Sequence, residues 1–225
     1  KICQNKKGNA ENLKKSKQTN KYIMKGIIVS GSAKTKREIV PCGTMVGRCY
    51  SMIEIGTVEW EWKGEKKFTK KVRLSFELPN EIRDFGGEEK PMVIDKEYTM
   101  SLYEKANLRQ DLESWRGAAF SKEDINSFDI TNLLGQPAML SIIHKTAGSG
   151  NEYAQIANIS SLPKGMEVAD QINESFVFNY TDKFDEEWLD VQPQWIQDQI
   201  KGTEDYQNKM NQQKFADTPT DDMPF

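Results

Sequence analysis

A chain of 225 residues holds one domain of ordinary size with appendages, or two small domains, and its 37% hydrophobic and 29% charged content concentrates any core in part of the length. No run approaches the roughly 20 apolar residues that cross a bilayer, and the Lys/Asn-rich start lacks the apolar segment of a secretory signal, so no membrane contact and a cytoplasmic setting are expected. The net charge of −3 conceals a change of sign: residues 1 to 42 carry many lysines against Glu11 and Glu38, whereas from residue 166 onward acids outnumber Lys183, Lys201, Lys209 and Lys214.

In chain order, residues 1 to 23 read as a basic disordered extension, and Met24 opens a more apolar run, Lys25-Gly26-Ile27-Ile28-Val29. Whether residues 1 to 23 belong to the working protein, as a basic arm on nucleic acid or as upstream sequence, stays open. The stretch from Met45 to Gly56 predicts a strand, with Gly47 and Gly56 suited to bends or bulges. Val72, Leu74, Phe76 and Leu78 alternate with Arg73, Ser75 and Glu77, the pattern of a half-buried antiparallel strand ended by Pro79-Asn80. A third strand is predicted from Val93 to Leu102.

The period then becomes helical. Leu108, Leu112, Trp115 and Ala119 form one stripe, and Ser121-Lys122-Glu123-Asp124 resembles a capping box before a second short helix. Asp129 to Leu134, closed by Gly135, reads as a brief turn. Strands at Ala138 to Ile143 and Tyr153 to Ile159 flank a loop rich in Gly and Ser. Three strands, a helix and two strands is the element order of a five-stranded OB-type barrel with its helix between strands three and four. The fold class predicted is therefore mainly β, with residues 24 to 165 as the barrel. Residues 166 to 210 are expected to be an acidic, partly ordered extension with a short helix at Pro193 to Ile200, and residues 211 to 225 a disordered acidic tail.

The blocks Tyr98-Thr99-Met100-Ser101-Leu102, Glu104-Lys105-Ala106-Asn107-Leu108-Arg109, Ser114-Trp115-Arg116-Gly117 with Phe120, Leu134-Gly135-Gln136-Pro137 and Ile159 to Met166 resemble a group of phage single-stranded DNA-binding proteins, over roughly residues 43 to 166. The final Asp221-Asp222-Met223-Pro224-Phe225 is similar to the acidic tip of bacterial single-stranded DNA-binding proteins, with Met223 where Ile is usual. The resemblance implies a phage-encoded, OB-fold protein that binds single-stranded DNA without strong sequence preference in replication, recombination or repair. It also implies recruitment of replication or recombination proteins through the tip.

Such binding needs cations that follow the phosphates and rings on which bases stack. Trp60, Trp62 and Phe68 interleave with Lys63, Lys66, Lys67, Lys70, Lys71 and Arg73 in the expected hairpin between strands one and two, with Gly64 at its turn. Arg48, Tyr50 and Tyr103 are lesser candidates, while Tyr98 and Trp115 read as core. The plainer reading is that Trp60 and Trp62 cover one hairpin face while the lysines stay solvated. A strand-annealing or recombination accessory acting mainly through protein contacts is the alternative function, and RNA is not separable from DNA by these residues. No cofactor is expected, and no metal, since Cys3, Cys42 and Cys49 lack CxxC spacing and His144 is the single His. No GxSxG, P-loop or HExxH motif occurs, so no enzyme is expected, although abundant carboxylates leave a nuclease site open on spacing alone. Oligomeric state, site size, host and the tail's partner stay open.

Overall fold

The structure, a computed structural model, describes residues 38–180 and 186–216. Two strands of unusual length open it, β1 (Gly43–Trp62) and β2 (Glu65–Asp84), followed by β3 (Glu89–Thr99), α1 (Asn107–Arg116), α2 (Asp124–Ser127), a 3₁₀ turn at Ile130–Leu133, β4 (Pro137–Thr146) and β5 (Glu152–Ser160). After them come β6 (Phe176–Phe178), α3 (Glu186–Asp190), α4 (Gln194–Lys201) and α5 (Glu204–Ala216). The strands lie in the order β3-β2-β1-β4-β5 with antiparallel ladders throughout, and β6 joins β1 in parallel. The mainly β class and the helix between the third and fourth strands agree with expectation. Closure differs: the sheet is open, because no ladder joins β3 to β5 among the described residues and α1 packs against both of these edges instead.

β1 serves two partners along one edge. Its first half pairs with β4 from Gly43 to Arg48, and Ser51 to Ile53 pair with β6, while β2 runs along the opposite edge. Register shifts between Cys49 and Ser51 and between Glu54 and Gly56 turn successive apolar residues of β1 to different sides. Cys49 and Met52 join a main core with Leu74, Phe76, Leu78, Leu140 and Ile156, whereas Ile53 and Ile55 enter a second core with Phe178, Leu189, Ile196 and Ile200. From α1 the residues Leu108, Leu112 and Trp115 complete the main core, and Tyr98 is buried there as expected. The Ser121–Asp124 capping box is reciprocal, each side chain accepting the other's backbone N–H at 3.1 Å.

Alternation predicts that β2 is covered on one face; it is covered on both. Its Val72, Leu74, Phe76 and Leu78 face the main core, and its Arg73, Ser75 and Glu77 are buried too, Arg73 against Trp195 and Gln199 and Glu77 against Ile172 and Asn173. Glu77, fully buried, accepts the backbone N–H groups of Ile172 and Asn173, each at 2.7 Å, and the Asn173 side-chain amide at 2.6 Å. Three donors on one carboxylate satisfy its lone pairs away from water. The Arg73 guanidinium pairs with Glu97 and lies 4.1 Å from the centre of the Trp195 ring.

The extension is thus an integral layer, and its helices exceed expectation: α4 matches the helix predicted near Pro193, but α5 continues to Ala216 where a disordered tail was expected from residue 211. Gly56 shows how closely this layer approaches. With φ at +102°, a Cβ there would meet Thr203 Oγ1 at 2.9 Å and the Tyr180 hydroxyl at 3.1 Å. Both groups are already engaged, the Tyr180 hydroxyl donating to the Ile55 carbonyl at 3.0 Å. Gly56→Ala is expected to cost more than about 1 kcal/mol, read as a lowered midpoint in urea, because it adds backbone strain to a steric clash.

Candidate functional site

Residues 57 to 62 and 65 to 70 pair with each other and, among the described residues, with no third strand, so they form a two-stranded ribbon about 20 Å long at the end of the sheet. The turn is Lys63-Gly64, with φ of 54° and 81°, the doubly positive pattern of a two-residue hairpin loop whose twist suits the strands. Gly64 makes this geometry cheap, which is why a long ribbon can end so abruptly.

Trp60 and Trp62 alternate along β1 and point to the same side. They are 45% and 55% exposed, with ring centres 6.3 Å apart and planes tilted by 58°. Trp60 Nε1–H donates to Thr69 Oγ1 across the ribbon at 2.8 Å, which fixes that ring's orientation, and Lys63 Nζ lies 5.9 Å from the Trp62 ring centre. Two large rings are held outward and open.

The register divides the rest of the predicted cluster. Trp62 faces Glu65, Trp60 faces Lys67, Val58 faces Thr69 and Gly56 faces Lys71, so Lys67 and Lys71 share the tryptophan face. Phe68, 62% exposed, lies on the opposite face with Lys66 and Lys70. The rings and cations that interleave in the sequence are thus divided between two faces, since alternate residues of a strand point to opposite sides. Charge is also moderated. Lys66 pairs with Glu59 at 2.8 Å, Lys67 with Glu65 at 2.9 Å, Lys71 with Glu97 at 3.9 Å, and Lys70 with Glu54. Lys63 has no such carboxylate partner among the described residues. The Lys66 and Lys67 pairs are exposed, hence weak and exchangeable, so they reduce the positive potential without removing these cations.

Two predicted contacts are committed elsewhere, and a third lies in an unfavourable setting. Arg73 is 5% exposed beneath Trp195, and Arg48 donates to the carbonyls of Ala169 at 2.8 Å and Gly135 at 3.0 Å, pinning the extension to the loop before β4. Burial pushes the Tyr50 hydroxyl up to about 12, and the nearby Asp95 and Glu77 add to the shift; this is an acidic neighbourhood unsuited to phosphate. Tyr103, by contrast, is 70% exposed on the turn before α1. Beside it sit Lys96 and Lys105, which sequence reasoning missed because each stands isolated in the chain; only the pairing of Lys71 with Thr99 brings this end of β3 next to the ribbon.

The Trp115-Arg116-Gly117 block has structural work. Trp115 Nε1–H donates to the Pro137 carbonyl at 2.8 Å, Arg116 lies 4.6 Å and 4.7 Å from the Phe120 and Phe128 ring centres, and Gly117 ends α1 in the left-handed region. His144 Nε2 is bonded to the Val40 carbonyl at 2.8 Å. Among the described residues no three His, Cys, Asp or Glu side chains gather as a metal site, and no helix is long and apolar enough to cross a membrane. The tip, Asp221 to Phe225, lies outside the described residues. No family model matches the chain, and neither a curated protein nor a solved structure matches it.

Proposed function

We propose that this protein binds single-stranded DNA without strong sequence preference, using the tryptophan face of the β1–β2 ribbon as a stacking platform. The observation that carries the reading is the pair of open rings, Trp60 and Trp62, fixed side by side next to Lys63 and Lys67. Bare tryptophan pairs are costly surface unless a partner covers them, and bases offer flat faces of matching chemistry. The order β3-β2-β1-β4-β5 with α1 after β3 further supports an OB-type arrangement, in which the loop between the first two strands belongs to the binding surface.

The outer surface of β2 and β3 around Arg73, which an open OB face would offer to a strand, is occupied by the extension. Nucleic acid is therefore assigned to the ribbon and the surface beside it. Titration of oligo-dT against duplex of equal length, at two salt concentrations and followed by tryptophan emission, tests the reading: quenching by the single strand with weak salt-sensitive duplex binding is expected. Equal affinity for both would instead favour a general polyanion surface.

The acidic residues Asp217, Asp221 and Asp222 would compete with phosphates for the same lysines, and Met223-Pro224-Phe225 would supply an apolar anchor for replication or recombination proteins. Removing residues 217 to 225 is expected to raise oligonucleotide affinity at low salt and leave it unchanged at high salt. Equal affinity at both would remove the competition.

A further inference from the structure

We propose that the cleft between the end of β3 and the start of α1 is a second contact point for the same strand, with Lys96 and Lys105 on a phosphate and Tyr103 under a base; this rests on the ribbon reading above. The cleft has a volume of about 490 Å³ and is lined by Lys71, Lys96, Ser101, Tyr103, Lys105 and Asn107 among others.

Register connects it to the platform. Lys67 opposes Trp60, Lys71 lies four residues further along the same face, and Lys71 pairs with Thr99 at the mouth of the cleft. That is about 13 Å of strand. A flexible polyanion lying on the tryptophan face would therefore pass Lys67, Thr69 and Lys71 and then turn over the edge of β3 to reach Lys105 and Lys96, the latter paired with Leu74 on the other side of the sheet.

The charges suit this role. Glu97, which faces Lys71 at 3.9 Å, is already held by Arg73, and Asp111, 2.6 Å from Lys96, also accepts the Tyr98 hydroxyl at 2.7 Å. Carboxylates shared in this way neutralise their lysines only in part. Lys105 has no carboxylate partner among the described residues. The Tyr103 ring is exposed on a held turn, its N–H donating to Ser101 Oγ at 3.2 Å and its carbonyl accepting the Ala106 N–H at 2.8 Å. Another cleft, about 690 Å³, is a poor rival: it is lined mainly by apolar side chains with Glu54 and Asp129 and no lysine, so it repels a phosphodiester.

Anisotropy titrations with oligo-dT of about 4 to 16 nucleotides test the cleft. The proteins are wild type, the surface variant Tyr103→Ala with Lys105→Ala, and Trp60→Ala with Trp62→Ala. For the longest oligonucleotides the cleft variant is expected to bind about fivefold or more weakly, with a salt slope shallower by about 0.7 for each phosphate no longer neutralised. The shortest, covered by the ribbon alone, should bind it as they bind wild type. Bromodeoxyuridine photocrosslinking to Tyr103 is the second readout. Wild-type affinity of the cleft variant at every length, with weakened binding by the ribbon variant, would overturn the cleft and leave the platform standing. A wild-type protein that binds no oligonucleotide would remove both.

Discussion

Replacing Trp60 and Trp62 together by Ala is expected to weaken oligo-dT binding by roughly 2 to 6 kcal/mol, the sum of two base stacks of about 1 to 3 kcal/mol each. The rings are half exposed, and within the protein the change removes the hydrogen bond from Trp60 to Thr69, so the fold should survive it. A thermal melt close to that of wild type would verify this. Trp→Phe at both positions keeps a flat ring and should retain most of the affinity, whereas Phe68→Ala, on the other face, should alter it little. The reverse ranking would move the platform across the ribbon. Unchanged affinity in the double Ala variant would eliminate the ribbon as the binding element.

Ile200→Ala is expected to destabilise the whole protein by about 2 to 5 kcal/mol, measured by urea unfolding. Ile200 is fully buried among Ile53, Ile55, Phe178, Leu189 and Ile196, so truncation leaves a cavity that the layer can only partly fill. The two cores share β1, and the buried Glu77 carboxylate and Arg73 guanidinium of β2 find their partners in the extension and β3. Loss of one layer would expose these groups' bonding surface as well as apolar side chains. A single transition shifted to lower urea is the consequence. Two separated transitions would mean that the extension folds independently of the sheet.

Much of the sheet is legible because its strands carry clear alternation: β4 and β5 lie where the pattern puts them, as do α1 and α4, whereas β2 runs past Pro79-Asn80, expected to end it, through a register shift between Leu78 and Ile82 and on to Asp84. Their ends are not. Trp60, Glu61 and the lysines after Gly64 bury little, so periodicity does not mark how far β1 and β2 run, and the hairpin between them is legible only from Gly64 at its turn. Arg73, Ser75 and Glu77 resemble a wet face because they are polar, yet donors and acceptors from residues more than 90 positions away cover Arg73 and Glu77. Pattern reports polarity, and polarity equals exposure only when no such partner exists. The same limit applies to the site. Trp60 and Trp62 could be named from spacing, whereas separating Phe68 from them required the strand register, and joining Lys105 to Lys71 required the pairing of β2 with β3.

The two-sided burial of β2 has a consequence for biosynthesis. Arg73 and its partner Gln199 are 126 positions apart, so at about 5 to 20 residues per second the nascent strand emerges roughly 6 to 25 s before the helix that will roof it. During that interval one side of the growing sheet has no lid, and Ile53 and Ile55 stay open to stray pairing. Ribosome-bound chains stalled before residue 200 should accordingly engage holdase chaperones more than chains released at full length.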